Sequence, residues 1–308
     1  MMGRHWIHWM LALFSFLALA VASPAQAEGT LRVAYAGSMG PVMDRFLGPA
    51  FAKKENVQYQ GIGQGAYGLA RLLESKQMQA DVFVSITPGP IEILQKAGMI
   101  DQAVPVASTQ MVIVYSPKSR FAADFAAAAA GRMPWYQVLE MPGLRLGRTD
   151  PAVDPQGQNI IFTMLLAEKY YHQPDLVKRI FGAYINPEQI FAEPSLVSRL
   201  EAGQLDATSG YESAAISHHL PFLRLPAQIN LSDPAMIKDW YSQVHFQLTL
   251  PNGKTTDLRT QPLVFYAAVL KNARNPLAAQ GFVRFLQGPE GQGIFRENGY
   301  GRPKGGNI

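Results

Sequence analysis

Several short stretches of this chain put hydroxyls, backbone amides and carboxyls where a strand gives way to a helix. The first is Ala36-Gly37-Ser38, between the strand-like LRVAYA and a helix-like run from Gly40 to Phe51. A serine there is by default an N-cap, its oxygen satisfying an orphan amide of the first turn. Walled by small residues, it is also placed to donate to something bound. Further on, Asp150-Pro151-Ala152-Val153-Asp154-Pro155-Gln156-Gly157 lies between LRLGRT and a long helix from Asn159. Two Asp, two Pro and a Gly in one turn read as a shaped loop, although Asp before a helix is usually a cap. Glu193-Pro194-Ser195 precedes another helix, and Tyr211-Glu212-Ser213 follows the strand LDATSG. Amides and hydroxyls gathered at helix starts describe a site for an oxyanion.

Gly63-Gln64-Gly65-Ala66-Tyr67-Gly68 is a literal G-x-G-x-x-G after a strand and before a helix, with Asp81 downstream. As a dinucleotide fingerprint it is set aside, because it follows the second strand and the chain carries an export signal. What remains is a glycine turn whose amides can approach an anion closely. The signatures G-x-S-x-G, H-E-x-x-H and G-K-[ST] are absent, so no catalytic step is expected. His218-His219 reads as a solvated pair. Tyr170 and Tyr171 point about 100° apart on a helix, so one of them is expected in the core.

The elements that must position these groups alternate. LRVAYA, NVQYQG and ADVFVSI are strand-like and separated by amphipathic helices, a βαβαβ order that implies a parallel sheet with helices on its faces. A second round begins at LRLGRTDP. The stretch from INLSDPAMIKDWYSQ to NGKTT reads as antiparallel, with Asn252-Gly253 as a hairpin turn. The expectation is an α/β fold of two lobes, each a mixed sheet flanked by helices, joined by two crossings that make a hinge. Residues 28–114 and 262–308 would form one lobe, and 115–261 the other.

The N-terminus explains where such a chain works. A positive start with Arg4, an apolar run LALFSFLALAVA and the ending Ala25-Gln26-Ala27 make residues 1–27 a secretory signal, with cleavage expected after Ala27. The sequence contains no cysteine, so it lacks the acceptor that a lipid anchor needs. An unanchored exported binder is useful where a second membrane retains it, which places it in a periplasm. The 308 residues carry a formal charge of +4, one of it from Arg4, too little for a nucleic-acid footprint.

Taken in order along nearly the whole mature chain, AYAGSM, ADVFVSI, RTDPAVDPQG, LEAGQLDATSGYESAA and QPLVFYAAVLKNARNPLAA resemble the periplasmic solute-binding proteins of the molybdate/tungstate type, with most similarity to the tungstate-binding branch. The resemblance implies a type II periplasmic-binding-protein fold, a monomer without a cofactor, tungstate or molybdate as ligand, and an ABC-transporter permease as partner. It implies Ser38 and the Gly37 turn as oxyanion donors, Asp154 and Glu193 as carboxylates bonding the metal centre, and Tyr211 as a contact from the second lobe. Two positions depart from the family pattern. Ala66 stands where a second small hydroxyl is usual, so either the Ala66 and Tyr67 amides suffice or the ligand differs. Ser195 stands where many relatives have an acid. Sulfate or an organic carboxylate is the alternative ligand, and a secreted enzyme using Asp154 and Glu193 as acid and base the alternative class.

Overall fold

The computed structural model describes residues 29–250 and 252–308. The signal reading of residues 1–27 lies outside the described residues. Among the described residues eleven strands run in chain order: β1 (Thr30–Ala36), β2 (Gln58–Gln64), β3 (Val82–Ser85), β4 (Val104–Ser108), β5 (Met111–Tyr115), β6 (Leu146–Gly147), β7 (Ala207–Tyr211), β8 (Phe222–Arg224), β9 (His245–Thr249), β10 (Thr255–Arg259) and β11 (Val264–Val269). Five form one sheet in the order β2-β1-β3-β11-β4, and four form a second in the order β6-β7-β5-β8. Strands β1, β2 and β3 are parallel, and β11 is antiparallel to both β3 and β4. In the second sheet β6 is parallel to β7, and β5 is antiparallel to β7 and β8. Both sheets are mixed and flanked by helices, as expected for this fold.

The chain passes between the sheets through Thr109-Gln110, and β11 brings it back. Strand β5, assigned to the first lobe by a boundary at 114, pairs instead with β7 across its whole length. All five of its residues are apolar or aromatic, so nothing in them distinguishes one buried sheet from the other. The stretch before β9 also differs from the antiparallel reading. Met236–Asp239 is a short helix and Tyr241–Gln243 a 3-10 turn. Asp233 turns the chain into that helix by accepting from the Ala235 amide at 3.0 Å. The hairpin itself is β9 and β10, with Gly253 in the left-handed region at φ +79°.

The run after Ser38 is helical but not uniform. It opens as a 3-10 turn (Gly37–Met39), widens to a π turn (Met43–Leu47) and resumes as an α-helix (Gly48–Glu55). Pro49 has no N–H to give the Arg45 carbonyl, which favours the wider turn before it. The widened turn places Asp44 where it accepts from Tyr35 at 2.6 Å and from Tyr59 at 3.2 Å. The helix Pro155–Tyr170 is buried over most of its first three turns and forms the spine of the second lobe. Tyr171, just past its end, packs against Trp135 and Tyr136, while Tyr170 stays exposed.

Candidate functional site

Strands β1 and β2 end side by side, Ala36 paired with Gln64, so their following turns lie together. From the first comes Gly37-Ser38, and Ser38 is 7% exposed with no hydrogen-bond partner for its hydroxyl oxygen. A buried hydroxyl without a partner forfeits a hydrogen bond, which a ligand can restore. From the second comes the helix Ala66–Glu74, capped by Gly65. Its first two amides, Ala66 and Tyr67, have no acceptor within the helix. The third, Gly68, donates across to the Val153 carbonyl of the other lobe at 3.1 Å. Arg71 reaches the Ala152 carbonyl at 2.9 Å. The Tyr67 hydroxyl lies against Gly89, beside the Gln261 side chain. Burial pushes that phenol up to about 12.

The second lobe sets one carboxyl against each of these turns. Asp154 caps the Pro155–Tyr170 helix, Oδ1 accepting from the Gln156 amide at 2.8 Å. Its Oδ2 lies 3.2 Å from where a Cβ on Gly65 would stand. Glu193 opens the helix Glu193–Glu201, and its Oε2 occupies the space a Cβ on Gly37 would need. Burial pushes Asp154 up to about 7, against the opposing pull of the Gln156 amide. Glu193 is raised well above the ordinary carboxylate range by burial first and by Asp154 second. The Ser38 hydroxyl and the Gly37 and Ser38 amides favour its charged form. The Ser38 hydroxyl does so without an aligned hydrogen bond.

Gln156, Ser209, Asn159, Tyr211 and Tyr300 complete the surroundings. Gln156 donates from Nε2 to Glu193 Oε1 at 3.4 Å, and Ser209 donates to Gln156 Oε1 at 3.1 Å. Asn159 donates to the Tyr211 hydroxyl oxygen at 3.0 Å. That leaves the Tyr211 proton free for another acceptor. Burial, then Asp154 and Glu193, raise Tyr211 well above its usual value. Tyr300, from the C-terminal return, points its hydroxyl at the Ser38 carbonyl at 3.4 Å. Two acidic or hydroxyl neighbours in sequence lie elsewhere: Glu212 pairs with Arg224 at 2.6 Å, and Ser195 donates back to the Ala192 carbonyl at 2.9 Å.

The segments carrying the two carboxyls are tied together by Arg148, which is 0% exposed. Its backbone forms a bridge with Ile190, with Arg148 N–H to the Gln189 carbonyl at 2.8 Å and Phe191 N–H to the Arg148 carbonyl at 3.0 Å. The guanidinium donates to Tyr184 O at 2.8 Å, Ala183 O at 2.9 Å and Gln189 Oε1 at 3.1 Å, above the Phe181 ring. Desolvation lowers its pKa to about 10, with Asp150 acting the other way.

Beside the paired turns a cavity of about 490 Å³ opens between the lobes. Gly37, Ser38, Gln156, Glu193 and Ser209 contribute to its wall, as does His218. His218 is half-buried rather than solvated, because it faces Glu201 at 3.9 Å across this cavity.

The model of the family described as bacterial extracellular solute-binding protein matches residues 31–301. The chain belongs to this family. The solute-binding protein is 31% identical over 312 residues to an uncharacterized solute-binding protein of Petrotoga mobilis, covering 97% of this chain and 92% of that one. It is 30% identical over 301 residues to the molybdate/tungstate-binding protein WtpA of Thermococcus kodakarensis, covering 90% and 83%. Among solved structures, the periplasmic molybdate-binding protein of Azotobacter vinelandii shares its fold with a TM-score of 0.64 at 16% identity, covering 89% of this chain and 100% of that one. The solute-binding protein therefore falls among exported binding components of transport systems, as its sequence resemblance implied.

Proposed function

We propose that this solute-binding protein captures tungstate or molybdate between its lobes and delivers it to the permease of an ABC importer. It works as a periplasmic monomer, with no cofactor and no chemical step. The observation that carries this reading is the meeting of the buried, unpartnered Ser38 hydroxyl with two buried carboxyls from the opposite lobe. The turn amides and hydroxyls suit the oxygens of an anion. The carboxyls in their ionised form do not, since like charges close together in a dry cleft repel strongly. Asp154 and Glu193 become favourable only toward an anion whose central atom can accept their oxygens as further ligands. Tungsten and molybdenum expand from four oxygen neighbours to six; sulfur in sulfate does not. The same acids that hold tungstate thereby exclude sulfate. The similarity to the molybdate/tungstate-binding protein of Thermococcus kodakarensis supports this choice of ligand.

Calorimetry of the mature chain with tungstate, molybdate and sulfate tests it. Tight binding of the first two and weak binding of sulfate is expected, with a matching rise in melting temperature. Sulfate binding as tight as tungstate would point to a general anion receptor. Turnover of a substrate without such binding would favour the acid–base enzyme.

A further inference from the structure

We infer that Gln156 is a ligand-contacting residue of the anion site that also spaces the two carboxyls, and that Ser209 is the positioning residue that sets its amide. The inference rests on the reading above that the cleft takes a metal oxyanion. Gln156 stands in the first turn of the Pro155–Tyr170 helix, where polar side chains are usually solvated, yet it is 4% exposed. A buried amide must find partners for two N–H donors and a carbonyl.

The partners fix its direction. Ser209 is held in β7, in register with Ile113 of β5, and is 2% exposed. Its hydroxyl donates to Gln156 Oε1 at 3.1 Å. The amide oxygen is thereby turned toward the sheet, and the NH2 group toward Glu193, which it meets at a long 3.4 Å. The backbone N–H of the same residue donates to Asp154 at 2.8 Å. One residue thus touches both carboxyls, through its backbone on one side and its side chain on the other. Its weak bond to Glu193 engages one N–H and leaves the other for the cavity wall it shares with Ser38 and Gly37. A neutral donor there adds a hydrogen bond to an anion oxygen without adding charge. It also keeps Glu193 turned so that a carboxyl oxygen remains available to the metal.

The test is calorimetry on the full mature chain with tungstate and with sulfate, alongside the ligand-free melting temperature. Gln156→Leu keeps the volume and removes the amide. It is expected to weaken tungstate by about tenfold or more and to narrow the margin over sulfate, with the ligand-free melting temperature modestly lowered because the Ser209 hydroxyl loses its acceptor. Ser209→Ala is expected to lose affinity in the same direction, and Ser209→Thr, which restores a hydroxyl, to recover it. This second pair carries the test without altering Gln156. Wild-type affinity and selectivity in Gln156→Leu, or equal affinities in the two Ser209 variants, would overturn the inference alone. Wild-type protein that binds neither tungstate nor molybdate would overturn the proposed function and this inference with it.

Discussion

The Glu193 carboxyl of one lobe fills the space beside Gly37 of the other, where any larger residue would carry its Cβ. Glycine is needed there for room, not for an unusual backbone angle, since residue 37 lies outside the positive-φ region. Gly37→Ala is therefore expected to fold, because the atom it displaces is the far end of a flexible side chain. The displaced carboxyl no longer reaches the metal, and tungstate affinity is expected to fall by at least about tenfold, the loss of one charge-assisted contact. Calorimetry and a melting curve check both halves. Unchanged affinity would mean that Glu193 works from another position.

Ser38→Ala separates a ligand donor from a helix cap. The hydroxyl has no partner in the protein, so its removal leaves ligand-free stability unchanged or slightly improved. One hydrogen bond to a charged oxygen is lost, roughly 1.5–3 kcal/mol, or about tenfold to a hundredfold in affinity. A lower melting temperature with intact binding would make Ser38 a cap.

Arg148 offers a structural counterpart. Arg148→Met keeps the apolar stem but leaves the Tyr184 and Ala183 carbonyls and Gln189 Oε1 buried without their donor. A loss of roughly 2–5 kcal/mol is expected, read as a lower denaturant midpoint. Binding should weaken as well, because the two carboxyl-bearing segments keep only the backbone part of their tie. An unchanged midpoint would show that water satisfies those carbonyls.

Ser38, Asp154, Glu193 and Tyr211 could be read as candidates in the sequence because each stands at the start of a helical run, where a turn of small or capping residues is a local signal. Asp154 is a cap as well as a site residue: one oxygen caps the helix and the other faces Gly65. Gln156 and Ser209 were not legible, since a glutamine in a first turn and a serine in a strand acquire meaning only when two distant segments pack together. Asn159 and Tyr300 are of the same kind. The parallel pairing of β1, β2 and β3 followed from the βαβαβ pattern, whereas the partner of β5 was hidden by a crossing of two residues without Gly or Pro.

Stability should depend on pH in a direction set by the buried acids. Unfolded Asp and Glu release their protons at about 4, but folded Asp154 holds its proton to about 7, and Glu193 is also raised. Between those values the folded chain binds more protons, so ligand-free stability falls as pH rises through that window. Melting curves from about pH 5 to about pH 7 (inside that window) should show a falling midpoint for the wild type. Asp154→Asn combined with Glu193→Gln should flatten it. A wild type that gains stability over the same range would contradict the burial of these groups.

In the proposed function Asp154 and Glu193 bind the metal centre of the anion and not merely its surroundings. X-ray absorption at the tungsten edge of the tungstate-loaded chain measures this directly. The expected spectrum has six oxygen neighbours, with two of them at longer, carboxylate-like distances that disappear in Asp154→Asn with Glu193→Gln. A tetrahedral tungstate with four equivalent oxygens would contradict the claim and leave both acids as ordinary buried caps.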